Sequence, residues 1–180
     1  MSLAQYHTIV IDPPWHIKPA NKWKNSNSGL TKGVPYSTMK DKEILAFDID
    51  YFAAKDCKLF LWTTNQKLPV AFECLKEWGF KYHATFSWVK KNGPCILGIH
   101  YITEYCLMAY RGQYGRPNIT SAIDTTFYGK HSEKPPAFYR DIIPKTDAPR
   151  IDLFGRRRHA GFDSWGDQVQ PAPLNLHDYY

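Results

Sequence analysis

The sequence predicts an α/β fold of three layers, with helices on both faces of a mostly parallel sheet. Short apolar runs of strand length alternate along the chain with segments of helical periodicity, which is the order that βα units require. Several of those runs, such as Thr8-Ile9-Val10-Ile11, are apolar almost throughout, as strands covered on both faces must be. The length of 180 residues falls within the usual size of one domain and can bury a real core.

The first strand is Thr8-Ile9-Val10-Ile11. Prolines cannot extend a ladder, so Pro13 and Pro14 take the chain out of the sheet at Asp12. Residues 18–32 are rich in Lys, Asn, Ser and Gly and read as a surface loop, with Lys18, Lys22, Lys24 and Lys32 around Trp23. A helix is expected over residues 39–47, with Thr38 as its N-cap and Asp41 in its first turn. Residues 57–62 form the second buried strand, leaving through the polar Thr63-Thr64-Asn65.

Leu68, Ala71, Phe72, Leu75 and Trp78 recur at helical spacing, so residues 66–78 read as an amphipathic helix stopped by Gly79, its aromatics in the core. Strands follow over 82–89 and 103–110, separated by a glycine-containing loop over 90–102 that is too irregular for an element of its own. A short strand is expected at 123–127. A helix over 135–143 opens on Pro135 and turns Phe138, Ile142 and Ile143 inward; residues 151–154 are the last buried strand. Residues 1–168 thus form one domain, and 169–180, with two prolines and little periodicity, a peripheral tail.

The formal charge of +6 and a pI near 9.1 favour an anionic partner, and nucleic acid is one candidate. Cys57, Cys74, Cys95 and Cys106 form no Cys-x-x-Cys and lie mostly in apolar stretches. Neither a zinc site nor a disulfide framework is expected, no metal is invoked, and a reducing compartment is the simpler reading. No run approaches the length of a membrane span, and residues 1–7 do not resemble an export signal. A cytoplasmic location is expected, or a nuclear one in a eukaryote. No Gly-x-Gly-x-x-Gly follows an expected strand, which disfavours a nicotinamide dehydrogenase.

The chemistry concentrates in Asp12-Pro13-Pro14-Trp15, because ligands of open α/β sheets bind at the carboxyl ends of the strands. An exocyclic amine is a poor nucleophile, its lone pair being delocalised into the ring. A carboxylate and a backbone carbonyl accepting its two protons would localise that pair; proline offers such a carbonyl without a competing N–H donor. Trp15 could add a flat face for a purine. The plain alternative is a turn in which Asp12 is a cap and Trp15 is core.

Further blocks join this one in a fixed order: Tyr36-Ser37-Thr38-Met39, Phe60-Leu61-Trp62-Thr63-Thr64, Trp78-Gly79-Phe80, Trp88-Val89-Lys90, Glu104 through Gly112, His131-Ser132-Glu133-Lys134-Pro135, and Leu153-Phe154-Gly155-Arg156 through Trp165-Gly166. Together they resemble the adenine N6 methyltransferase family that includes the catalytic subunit of the eukaryotic messenger-RNA adenosine methyltransferase. The resemblance runs over most of residues 6–168 and implies a Rossmann-like S-adenosylmethionine-dependent methyltransferase whose catalytic motif precedes its cofactor motif.

In this resemblance Asp12, Pro13, Pro14 and Trp15 are the catalytic set. Lys134 would pair with the carboxylate of the cofactor's methionine moiety. Phe154 and Gly155 belong to the turn under the cofactor, Arg156, Arg158 and His159 to its ribose contacts, and Asp167 and Gln168 to its ribose and adenine. Relatives often carry Trp at the position of Phe162 and Asn at that of Asp167. Tyr36 and Glu104 would line the target-base side, and Lys18, Lys22 and Lys24 would meet phosphates. The implied partner is nucleic acid, DNA being favoured over RNA by analogy with small microbial relatives, and the chain would act as a monomer or dimer. Adenosine N6 methylation of RNA, cytosine N4 methylation and an inactive nucleic-acid-binding scaffold are the alternatives.

Overall fold

The structure of the protein is a computed structural model and describes residues 5–17, 37–91, 93, 95–96, 98–123 and 133–166. In chain order the elements are β1 (Tyr6–Ile11), α1 (Asp41–Leu45), β2 (Ala53–Thr64), α2 (Leu68–Glu77), β3 (Lys81–Val89), β4 (Cys95–Ile96), β5 (Ile99–His100), β6 (Thr103–Arg111), β7 (Ala122–Ile123), α3 (Pro136–Ile142), β8 (Arg150–Leu153) and β9 (Asp163–Trp165). Seven strands form one sheet in the order β7-β3-β6-β2-β1-β8-β9. β1 runs parallel to β2 and β8, β8 to β9 and β3 to β7, while β6 is antiparallel to both of its neighbours.

Side chains alternate across a strand, and here the alternation sorts two cores. Ile9, Ile11, Leu59, Leu61, Leu107, Ala109, Ile151 and Leu153 face one way, against Ile44 of α1 and Ala71, Cys74 and Leu75 of α2. Val10, Phe60, Trp62, Cys106 and Met108 face the other way, against Phe138, Tyr139 and Ile142 of α3. The result is the expected three layers. Each fully buried side chain of this size contributes about 1.5–3 kcal/mol relative to exposure, so both faces of β1 and β2 help fix the register.

The alternation also places polar residues. By parity Asp12 continues the row of Val10, Asp152 lies between Ile151 and Leu153, and Glu104 precedes Cys106 by two. All three therefore belong to the α3 side of the sheet.

Several expectations are corrected. α1 begins after Lys40, whose N–H donates to the Glu43 carboxylate at 2.6 Å, and Thr38 instead has its hydroxyl 3.1 Å from His16 Nδ1. That capping contact starts the helix later, and it ends at Leu45, short of residue 47. α2 fills the expected range behind a short 3-10 turn, and Gly79 ends it at φ +71°. Phe72, expected in the core, is 42 % exposed and packs edge-on against Tyr82, because it falls on the solvent edge of the apolar stripe. The loop expected over 90–102 contains the β4–β5 hairpin, turning at Gly98 with φ +80°.

α3 starts at Pro136, so Pro135 stands just ahead of it. β8 ends at Leu153 rather than 154, because Phe154 takes a left-handed φ of +61° that no strand residue adopts. β9, unforeseen in the sequence, closes the sheet edge beside β8. Of the strand expected at 123–127, only Ile123 is described, paired through β7 with β3.

Candidate active site

Asp12 leaves β1 where β8 also ends, since Ile11 is in register with Leu153, while β2, in register at Leu61, runs on to Thr64. Three neighbours fix the tetrapeptide. The Asp12 N–H donates to the Leu153 carbonyl at 3.2 Å, the Met39 N–H donates to the Pro14 carbonyl at 2.9 Å, and the Trp15 indole N–H donates to the Trp62 carbonyl at 3.0 Å. A tight turn forms within the motif, where the Trp15 N–H donates to the Pro13 carbonyl at 2.7 Å. Such a three-residue turn suits Pro14, whose ring fixes φ near the value it needs. The Pro13 oxygen keeps a second lone pair.

Trp15 is 7 % exposed and packs in the core on the α1/α2 side. The open stacking face expected of it is absent; the indole is a buried anchor tying the motif to β2.

A small, partly open cleft lies beside Asp12. Of the residues singled out in the sequence, Asp12, Lys134, Phe154, Gly155, Arg156 and His159 line it together. Glu133, Tyr139, Asp152 and Arg157, which the sequence reading did not select, line it too. A lone carboxylate inside the apolar run Ile151-Asp152-Leu153 was the one available signal for Asp152. Arg158 is exposed and is not part of the lining. Tyr36, Lys18, Lys22, Lys24, Asp167 and Gln168 lie outside the described residues.

Electrostatics organise the cleft. The Lys134 ammonium is 2.8 Å from Asp12 Oδ2 and 3.1 Å from Glu104 Oε2, and 5.3 Å from the centre of the Trp62 ring. Glu104 also pairs with Lys90. Burial alone would push the Lys134 pKa down, but the two carboxylates overcome it and hold the ammonium charged, above its ordinary value. For Glu104 burial acts upward, yet its two lysines win and bring the pKa down to about 2. Asp12 goes the other way: burial raises its pKa against the pull of Lys134.

Asp152 is fully buried on β8 and accepts a 3.1 Å hydrogen bond from the Tyr139 hydroxyl at Oδ2, while its Oδ1 has no hydrogen-bond partner among the described residues. Burial raises its pKa to about 8. His159 stacks on Tyr139 with ring centres 3.4 Å apart, and burial, assisted by Arg157, lowers its pKa to about 4, so the ring is neutral at pH 7.

Close packing just after β8 and just after β9 requires a glycine at each place. A Cβ on Gly155 would lie 2.9 Å from Asp152 Oδ2, and one on Gly166 would lie 2.5 Å from the Gly155 carbonyl. The chain thus folds closely over the Asp152 carboxylate, leaving bare backbone toward the cleft.

The MT-A70 family pattern matches residues 6–168. The type II methyltransferase M.MunI of a Mycoplasma species is 29 % identical over 96 % of this chain and 81 % of its own. The mouse N(6)-adenine-specific methyltransferase METTL4 is 29 % identical over 91 % of this chain and 37 % of its own. The human N(6)-adenosine-methyltransferase catalytic subunit METTL3 is 27 % identical over 86 % of this chain, which spans 26 % of that protein. The carboxylate-lysine cleft at the strand ends, the motif order and this match over nearly the whole chain agree, and the protein belongs to the MT-A70 family, whose named members among these relatives include adenine and adenosine N6 methyltransferases.

Proposed function

We propose that the protein methylates the exocyclic N6 of adenine in nucleic acid, with S-adenosylmethionine as donor and DNA as substrate. The observation that carries this reading is the shared cleft, in which the strand-end carboxylate of Asp12 meets Lys134 and the glycine turn after β8. DNA is favoured by analogy with small microbial relatives; the M.MunI match extends over most of both chains.

The residues suit the donor. A cation at Lys134 and bare backbone at Gly155, lining one cleft, match a nucleoside that carries a carboxylate group. Lys134 would hold the carboxylate, and Arg156 and His159 would meet the ribose. When bound, the donor supplies an electrophilic methyl group on a sulfonium.

This chain's own residues then act on the amine. Asp12 and the free lone pair of the Pro13 carbonyl accept its two N–H protons and localise the nitrogen lone pair, in a direction fixed by the hydrogen bonds to Leu153, Met39 and Trp62. As the nitrogen gains positive charge, the Asp12 carboxylate opposes it at close range. With its pKa raised by burial, Asp12 is also a competent acceptor for the departing proton.

A target in duplex DNA must leave the stack, at a cost of a few kcal/mol. The buried Trp15 ring does not offset that cost by stacking, so single-stranded substrates should turn over faster. Incubation with labelled S-adenosylmethionine and single- and double-stranded DNA and RNA, followed by nucleoside analysis, tests the reading. N6-methyladenine in DNA is the expected product; N4-methylcytosine or no label would overturn it.

A further inference from the structure

Lys90 stands outside the cleft yet is wired into it. It follows directly on β3, its N–H donates to the Ile102 carbonyl at 2.6 Å, and its ammonium pairs with Glu104 at the start of β6. Glu104 is thereby engaged at both oxygens, Oε1 by Lys90 and Oε2 by Lys134. The two ammoniums also stand over a pair of indoles, Lys90 at 5.7 Å from the Trp88 ring and Lys134 at 5.3 Å from the Trp62 ring, and those rings meet edge to face at 6.2 Å.

Charges alternate along this row, from Lys90 through Glu104 and Lys134 to Asp12. We propose that Lys90 is a positioning residue for the methyl transfer: by taking one oxygen of Glu104, it keeps Glu104 from drawing Lys134 away from Asp12 and the cleft. Without Lys90 the whole carboxylate charge of Glu104 falls on Lys134. The ammonium then moves toward Glu104, leaving Asp12 less compensated and the cleft without its cation. The depressed pKa of Glu104 agrees with a carboxylate held by both lysines. The inference rests on the roles proposed above for Asp12 and Lys134.

The rival role for a lysine that is 31 % exposed at a basic protein's active edge is a phosphate contact. The two roles leave different marks. Lys90→Met should lower kcat about tenfold and weaken calorimetric binding of S-adenosylmethionine about fivefold, with KM for the oligonucleotide and its salt dependence unchanged. Lys90→Arg, which retains a cation able to pair with Glu104, should recover both to within about twofold of the unsubstituted protein. A Lys90→Met protein with undiminished kcat, or one whose loss is confined to KM with a shallower salt dependence, overturns the inference while the proposed activity stands. An unsubstituted protein that methylates no nucleic acid removes the activity and this inference together.

Discussion

The Lys134 ammonium lies 2.8 Å from the Asp12 carboxylate, so the group proposed to grip the substrate amine and the group proposed to grip the donor are partners of each other. An anion bound at Lys134 therefore competes with Asp12, and donor binding would release Asp12 Oδ2 for the amine.

The first prediction follows from that competition. Asp12→Ala should lower kcat by about 1,000-fold, since it removes an acceptor aimed at the charge developing on nitrogen. Calorimetry should show S-adenosylmethionine bound at least as tightly as before, because Lys134 has lost a rival anion and keeps Glu104. Near-normal turnover in this variant would refute the assignment of Asp12.

The pH dependence has a definite sign. Asp12 must be ionised to accept the amine protons, and burial raises its pKa above the ordinary 3.8 while Lys134 and Arg156 oppose the rise and Glu104 adds to it. Asp152, on the same face of the sheet, and Glu133, in the same cleft lining, are further carboxylates nearby. Activity should be lost as pH falls through this raised value, so the acid limb of kcat/KM should lie above 3.8. A limb at or below 3.8, measured in a buffer series of constant ionic strength, would contradict the burial argument.

Stability should respond to Asp152 in the opposite direction from an ordinary carboxylate. Its folded pKa of about 8 stands above the unfolded 3.8, so the folded chain binds a proton that the unfolded chain has already lost. That contribution is complete below 3.8 and disappears as pH rises through about 8. From pH 6 to pH 9 the loss should be about 3 kcal/mol, from the difference in bound protons. Asp152→Asn should remove this slope in urea unfolding experiments, and an unchanged slope would show that Asp152 is not its source.

Gly166→Ala tests the close packing of the residue after β9 against the turn after β8. The added carbon would lie 2.5 Å from the Gly155 carbonyl, a contact relieved only by moving backbone. The expected outcome is a loss of about 2 kcal/mol or more in stability, together with weaker donor binding. Wild-type unfolding and binding would mean that the turn yields without cost.

Much of the fold was legible because it rests on local pattern. Apolar runs marked β1, β2 and β8, the 3.6-residue period marked α2, and the prolines after Ile11 marked the exit that carries Asp12. Motif order also singled out Lys134, although nothing local says what its ammonium touches. The misses have a physical reason too. β9 is three residues long and exists through its pairing with β8, and the two-residue β4 and β5 strands form a hairpin with each other.

What the sequence determined by itself was the main strands and helices, their order, and the chemical groups delivered to the carboxyl edge of a sheet. The tertiary structure decided which groups meet. Strand register and the two-residue alternation put Asp12, Glu104 and Asp152 on the α3 side, where Lys134 and Tyr139 answer them, and turned Trp15 into the opposite core. Charge compensation and burial arise between residues distant in the chain, so they exist only once the sheet has brought its strand ends together.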